Sequence, residues 1–91
     1  MVKRVKLAPK LDTAASGALK QALEEVQGHD LVLDAAEVEI LGALCLETLM
    51  SAGVLWRLAG HTISIENTSS QMVDDLSRFG LCPDTLLEYA A

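Results

Sequence analysis

Strand-like runs alternate with helix-like runs along the whole of this chain, and nothing else in the sequence narrows its fold as much. Val5 and Leu7 alternate with Arg4 and Lys6, the period-two pattern of a strand with one wet face over 2–8. Pro9 closes that strand, because proline cannot donate to a ladder. Ala15, Ala18, Leu19, Ala22, Leu23 and Val26 then recur at helical spacing, with Ser16, Lys20, Gln21, Glu24 and Glu25 on the other side. Asp12 or Thr13 is placed to cap this helix, and Gly28 to stop it. Leu31-Val32-Leu33 is a continuous apolar run ending at Asp34, the expected appearance of a central strand covered on both faces.

A turn region at 35–39 leads through Ile40, Leu41 and Gly42 into a second helix over 43–58, which is apolar nearly all round. Leu46, Leu49, Met50, Gly53 and Trp56 form one stripe, and Leu44, Thr48, Ser51, Leu55 and Leu58 form another. One stripe suffices to pack a surface helix on a sheet. The second implies either a helix flanked by two neighbours or an exposed patch that meets a partner. Gly60 ends this helix, and Thr62 to Glu66 alternates as a strand. Asn67, Thr68 and Ser69 offer caps, with Thr68 and Gln71 spaced as a capping box. Met72, Val73, Leu76 and Phe79 predict the inner face of a third helix, with Asp74, Asp75 and Arg78 outside and Gly80 as its stop. Leu86 to Tyr89 reads as a last short strand, a frayed tail or a helical turn.

Strands alternating with helices require βαβ crossovers. The fold class expected is therefore α/β, with a central mostly parallel sheet of about four strands and three α-helices. At 91 residues the chain has room for one domain, over 1–91.

Composition then limits what such a domain does. The chain is 51% hydrophobic but only 3% aromatic, so its core is aliphatic and base-stacking recognition of single strands is disfavoured. A net charge of −6 opposes the phosphate neutralisation on which nucleic-acid binding depends. Lys3, Arg4, Lys6 and Lys10 gather four of the seven basic residues at one end, as a solvated edge strand or as a patch for an acidic partner. Charged residues interrupt each apolar run before membrane-spanning length, so no direct membrane insertion is expected. Cys45 and Cys82 lack metal-ligand spacing and a C-x-x-C, which fits reduced thiols in a cytoplasmic protein.

Catalytic and cofactor chemistry finds little support. Cys45 needs a nearby base to act as a nucleophile, and His29 and His61 both fall in expected turns. Glu37 and Glu39 alternate with Val38 and Ile40 and read as one solvated face. The six glycines are scattered, so no phosphate loop is present, and two histidines 32 positions apart do not make a metal site. No enzyme activity, cofactor or metal is expected.

Several segments, in order, resemble a known family. Leu7-Ala8-Pro9-Lys10-Leu11-Asp12 looks like the L-x-G-x-L-D opening of STAS domains, the fold of anti-sigma-factor antagonists, with Pro9 in the usual glycine position. Leu31-Val32-Leu33-Asp34 with Val38 and Leu41 is similar to the family's central strand and its approach to a switch loop. Ile63-Ser64-Ile65-Glu66-Asn67, then Met72-Val73 and Phe79-Gly80-Leu81, resembles its third βα unit.

In that family a D-S-x-G motif opens the second helix, and its serine is phosphorylated by an ATP-binding partner kinase. The matching stretch here is Gly42-Ala43-Leu44-Cys45-Leu46-Glu47. Gly42 replaces the aspartate and Ala43 the acceptor serine, so that position is not phosphorylatable. The resemblance implies a non-catalytic adaptor for a histidine-kinase-like ATPase, such as an anti-sigma factor or a chemotaxis-type kinase. The expected contact comprises Gly42, Ala43, Leu44, Glu47, Thr48 and Ser51. Thr48 and Ser51 are the nearest substitute hydroxyls, although mid-helix hydroxyls usually bond back to the preceding turn. The family also supplies cytoplasmic subunits of membrane transporters, including lipid-type ABC transporters, and that is the alternative role. The chain looks too short for the extra terminal elements common in STAS domains, which leaves a sheet edge open to pairing as a homodimer.

Overall fold

The computed structural model describes residues 2–87. Three strands, β1 (Val2–Lys6), β3 (Asp30–Asp34) and β5 (Ile63–Glu66), form a parallel sheet in the order β1-β3-β5. Between them the chain makes a second, two-residue parallel ribbon from β2 (Lys10–Leu11) and β4 (Ile40–Leu41). The helices are α1 (Ser16–Glu25), α2 (Ala43–Leu58), α3 (Ser70–Arg78) and the short α4 (Pro83–Leu86), with a 3-10 turn at Thr13–Ala15 before α1. The α/β class and the mostly parallel sheet match the expectation, and α2 has the bounds that its pattern predicts.

The strand count differs in its distribution. Lys10–Leu11 and Ile40–Leu41 add a ribbon beside the main sheet, and a short helix, Pro83–Leu86, ends at the first residue of the candidate last segment. Pro83 stands at the start of that turn, where its missing N–H leaves no bond unmade. Glu88 and Tyr89 of the candidate last strand lie outside the described residues.

One face of the sheet builds the core. Leu31 and Leu33 of β3 are buried, and Val5, Ile63 and Ile65 pack at their sides. Leu19 and Leu23 of α1, Cys45, Leu46, Leu49, Ala52 and Trp56 of α2, and Met72 and Leu76 of α3 complete it. The Trp56 indole N–H donates to the His29 carbonyl at 2.8 Å, which ties the end of α2 to the start of β3.

Val32 corrects the expectation of a strand covered on both faces. It is half-buried, on a face shared with Arg4, Asp30, Asp34, Ser64 and Glu66. Arg4 on one edge strand reaches Glu66 on the other at 3.1 Å, so its aliphatic stem crosses β3 and shelters Val32 without a helix. Lys6 pairs with Glu37 at 2.6 Å on the same side, and the interaction holds the ammonium above the ordinary lysine pKa. α3 is also less inward than expected: Val73 and Phe79 are exposed, leaving Met72 and Leu76 as its buried contacts.

Gly28, Gly60 and Gly80 end their helices at positive φ, as glycine stops do. Gly53 serves closeness instead. A Cβ there would overlap the Leu87 carbonyl, because the turn after α4 lies directly on α2. Gly53→Ala is accordingly expected to destabilise the protein by about 1–3 kcal/mol through overpacking. In an open helix the same change stabilises by up to about 1 kcal/mol. Gly17 has no atom within 4 Å of its would-be Cβ, and Gly17→Ala is expected to stabilise by about 0.5–1 kcal/mol. Urea unfolding followed by the fluorescence of Trp56, the only tryptophan, separates the two signs.

Candidate functional site

The site expected at the start of α2 is assembled by the loop between β3 and α2. Asp34 ends β3 and turns the chain, its Oδ1 accepting the Ala36 N–H at 3.1 Å and the Asn67 amide at 3.5 Å. The Ala36 N–H is the main reason that the Asp34 carboxyl titrates below the usual aspartate range. Asn67 adopts φ 56°, a left-handed turn that asparagine tolerates, and the chain then enters α3.

α3 holds the loop from outside. Ser69, not Thr68, is the N-cap, with its Oγ accepting the Met72 N–H at 3.1 Å and donating to the Val38 carbonyl at 2.5 Å. Asp75, expected on the solvent side of α3, instead turns inward. Its Oδ2 accepts the Leu41 N–H at 2.9 Å, its Oδ1 accepts from Arg78 at 3.1 Å, and its side chain is only 17% exposed. A two-residue edge strand leaves backbone donors without ladder partners, and that shortage is the signal a sequence reading would need to find Asp75.

Gly42 follows with extended backbone as the N-cap of α2, without a side chain to cap it. Its N–H donates to the Leu11 carbonyl at 2.8 Å, and a Cβ would stand 3.3 Å from that same oxygen. Ala43 is exposed at the first helical position, and Leu44 beside it is 46% exposed. Glu47 and Ser51 are exposed further along. The Thr48 hydroxyl donates to the Leu44 carbonyl at 2.9 Å, the back-bond expected of a mid-helix threonine.

Leu44, Glu47, Thr48 and Ser51 line an open groove between α1 and α2, while Gly42 and Ala43 sit at the helix tip. The groove's other wall comes from α1, through Ser16, Gly17, Lys20 and Glu24. That wall was missed because the spacing of α1 marks an inner and an outer side but not the neighbour beyond its edge. Leu55, in the second stripe but not among the expected contacts, is 54% exposed and lines the same groove. The second stripe of α2 is thus an exposed patch, flanked on one side by α1.

Little in this region resembles reactive chemistry. Cys45 is buried with its thiol donating to the Asp12 carbonyl at 3.4 Å, and burial raises its pKa. Cys82 is exposed, and a hydrogen bond with the Thr85 side chain lowers its pKa. Among the described residues no group of three or more His, Cys, Asp and Glu side chains is arranged to hold a metal ion. No helix there is long and apolar enough to cross a membrane.

Two outcomes test this account of the loop. Asp75→Ala strands the Leu41 N–H and is expected to cost about 1–3 kcal/mol, with faster amide exchange at 39–42. Asp74→Ala, on the exposed side, is expected to stay within about 0.5 kcal/mol. Asp34 and Asp30 both have folded pKa values below their unfolded ones, Asp30 chiefly through the Thr62 backbone N–H. Their contribution is therefore complete above the unfolded value of about 4 and is lost as pH falls through the lower folded values. Asp34→Asn keeps the Oδ1 acceptor, and acid titration of unfolding is expected to show a shallower loss of stability below about pH 4.

Neither a search of curated proteins nor a search of solved structures found a match. The family model described as "Mlab, STAS domain" matches residues 2–88. STAS domains are generally non-catalytic and take signalling or transporter-associated roles. With the match running from β1 past α4, the chain belongs to the STAS-domain family.

Proposed function

We propose that this protein is a cytoplasmic, non-catalytic adaptor that binds an ATP-binding protein through the exposed stripe of α2, without phosphorylation of the helix tip. The observation that carries this reading is the chemistry of the tip. Ala43 stands where the resemblance puts the acceptor, Leu44 beside it is an exposed leucine, and Leu55, about three turns on, lines the same groove. A hydroxyl there would let a phosphate change charge inside a close interface. An alanine followed by a leucine instead favours a contact made by burying apolar surface, independent of covalent modification. In the leading version the partner is a histidine-kinase-like ATPase.

A second reading places the same face on the nucleotide-binding subunit of a lipid-type ABC transporter. The absent acceptor suits a fixed subunit as well as a constitutive adaptor.

Affinity purification of the tagged protein from its own cells, with Leu44→Asp in parallel, tests both. Leu44 is half in solvent already, so the substitution is expected to leave stability within about 0.5 kcal/mol. Its charge in a desolvated contact is expected to weaken the complex at least tenfold, a loss of about 1.4 kcal/mol or more. A kinase-like ATPase recovered only with the unmodified protein supports the first reading, and transporter subunits the second. Undiminished recovery with Leu44→Asp removes α2 as the contact in either.

A further inference from the structure

The two edges of the main sheet differ in what guards them. In the order β1-β3-β5, β1 and β5 each have one side without a strand neighbour among the described residues. Edge strands are kept from pairing with other chains by charges, prolines or bulges. β1 carries Lys3, Arg4 and Lys6, and by alternation Lys3 is half-buried on the core side with Val5. β5, Ile63–Glu66, has neither a cation nor a proline.

The bonds to β3 show which backbone groups of β5 are spare. The Leu31 N–H donates to the Thr62 carbonyl and the Ala35 N–H to the Glu66 carbonyl, both at 2.9 Å. The Thr62 N–H donates to the Asp30 carboxylate at 2.9 Å. Even-numbered positions therefore face β3, and the N–H and C=O groups of Ile63 and Ile65 point away from it. In an antiparallel pair, directly opposite residues exchange both bonds at every second position. Two copies of β5 turned end for end thus pair Ile63 with Ile65 of the second copy, and Ile65 with its Ile63. This register is bounded on both sides. Sliding one way calls on His61, whose N–H already goes to the Trp56 carbonyl at 2.9 Å. Sliding the other way calls on Asn67, which leaves the strand at φ 56°.

Side chains meet in this register without conflict. Ile63 and Ile65, half-buried and packed against the core, carry the apolar layer across the seam. On the outer face Ser64 meets Ser64, and Thr62 meets Glu66, whose carboxylate Arg4 already holds at 3.1 Å. The same operation on β1 is unfavourable. Its Leu7 N–H donates to the Asp34 carbonyl, so the even positions face the edge and Arg4 meets Arg4. Like charges directly opposite are destabilising. Placing β1 of one copy on β5 of the next would bring Lys3 beside the isoleucines, and that head-to-tail contact does not close. We infer that β5 pairs antiparallel with β5 of a second copy about a two-fold axis at Ser64, joining the two sheets into one. A seam this short is smaller than the roughly 800 Å² per partner of a standard interface, so the dimer is a weak one that exchanges with monomer. The contact uses no residue of the α2 stripe and does not rest on the partner reading.

Sedimentation equilibrium of the purified protein from about 10 µM to about 1 mM spans the range in which such a contact dissociates. The expected result is a reversible monomer–dimer equilibrium whose dissociation constant rises at least about tenfold in Ser64→Lys, which sets two cations directly opposite. Ser51→Lys on α2 is expected to leave it unchanged. Both serines are exposed, so both variants are expected to fold, and circular dichroism checks this. Ser64→Cys adds a positive readout in a Cys82→Ser background, which removes the exposed thiol. Facing residues of a non-hydrogen-bonded antiparallel pair have Cα atoms about 4.5 Å apart, within the roughly 4.4–6.8 Å a disulfide needs. Oxidation is expected to give a covalent dimer with Ser64→Cys and none with Ser51→Cys. A protein that stays monomeric at about 1 mM, or that assembles beyond the dimer, overturns the inference. A dimer indifferent to Ser64→Lys, or one that cross-links no better through Ser64 than through Ser51, overturns it too.

Discussion

Both neighbours of β3 run parallel to it, and most of what is distinctive in this structure follows from that constraint. Parallel neighbours cannot be joined by a hairpin, so the chain must leave the sheet and return twice. α1 lies in the first return and α2 in the second. Because Leu31 and Leu33 present one apolar face, both helices bury their leucines there and lie side by side. The groove between α1 and α2 is therefore a by-product of connectivity. What the sequence adds is a second apolar stripe on α2 to line it.

The loop entering α2 is held by a different kind of interaction. Its backbone donors and acceptors have few ladder partners, and side chains, two of them from distant α3, satisfy them instead. Asp34 takes the Ala36 N–H, Ser69 reaches the Val38 carbonyl, and Asp75 takes the Leu41 N–H. Pro9 contributes its carbonyl to the Glu39 and Ile40 N–H groups. Three segments of the chain, the end of β3, α3 and the stretch at Pro9, thus fix the direction in which Gly42 hands over to Ala43. A buried donor left alone costs more than a made bond returns, so the arrangement stays closed without a ligand. Ala43 at the tip carries no hydroxyl, and the hydrogen bonds that orient the tip close without one.

How far the sequence reveals all this depends on whether a feature is periodic or relational. The bounds of α2, the glycine stops and the back-bonded Thr48 depend on spacing within one segment, and all were legible. Val32 was misread because its shelter comes from Arg4 and Glu66, which lie on two other strands. Asp75 was misread for the same reason: its place on α3 looks like solvent until β4 supplies an orphan N–H. Phe79 looked like core because helical spacing counts only the helix's own turns, whereas its burial depends on what lies opposite. At the groove, the second stripe of α2 is readable from its spacing, and the wall from α1 is not, since no motif spans two crossovers.

On the proposed reading, an alanine in the acceptor position changes the kind of control available, not merely its strength. A phosphate works by adding charge to a surface that is otherwise ready to bind, so its effect scales with how well the interface excludes water. On the proposed reading, with Ala43 and Leu44 in that place, the contact depends on apolar area, which no modification of the tip reverses. Any control must then act by competition for the same leucines or by the supply of the partner, both of which are concentration effects. Such a surface favours a contact kept throughout the protein's life, or one that is shared between alternatives of similar affinity. Leu55 and Leu58, more exposed than Leu44, lie well beyond the tip, so the exposed apolar surface extends the length of α2. A phosphoserine at the first turn would have governed only one end of it.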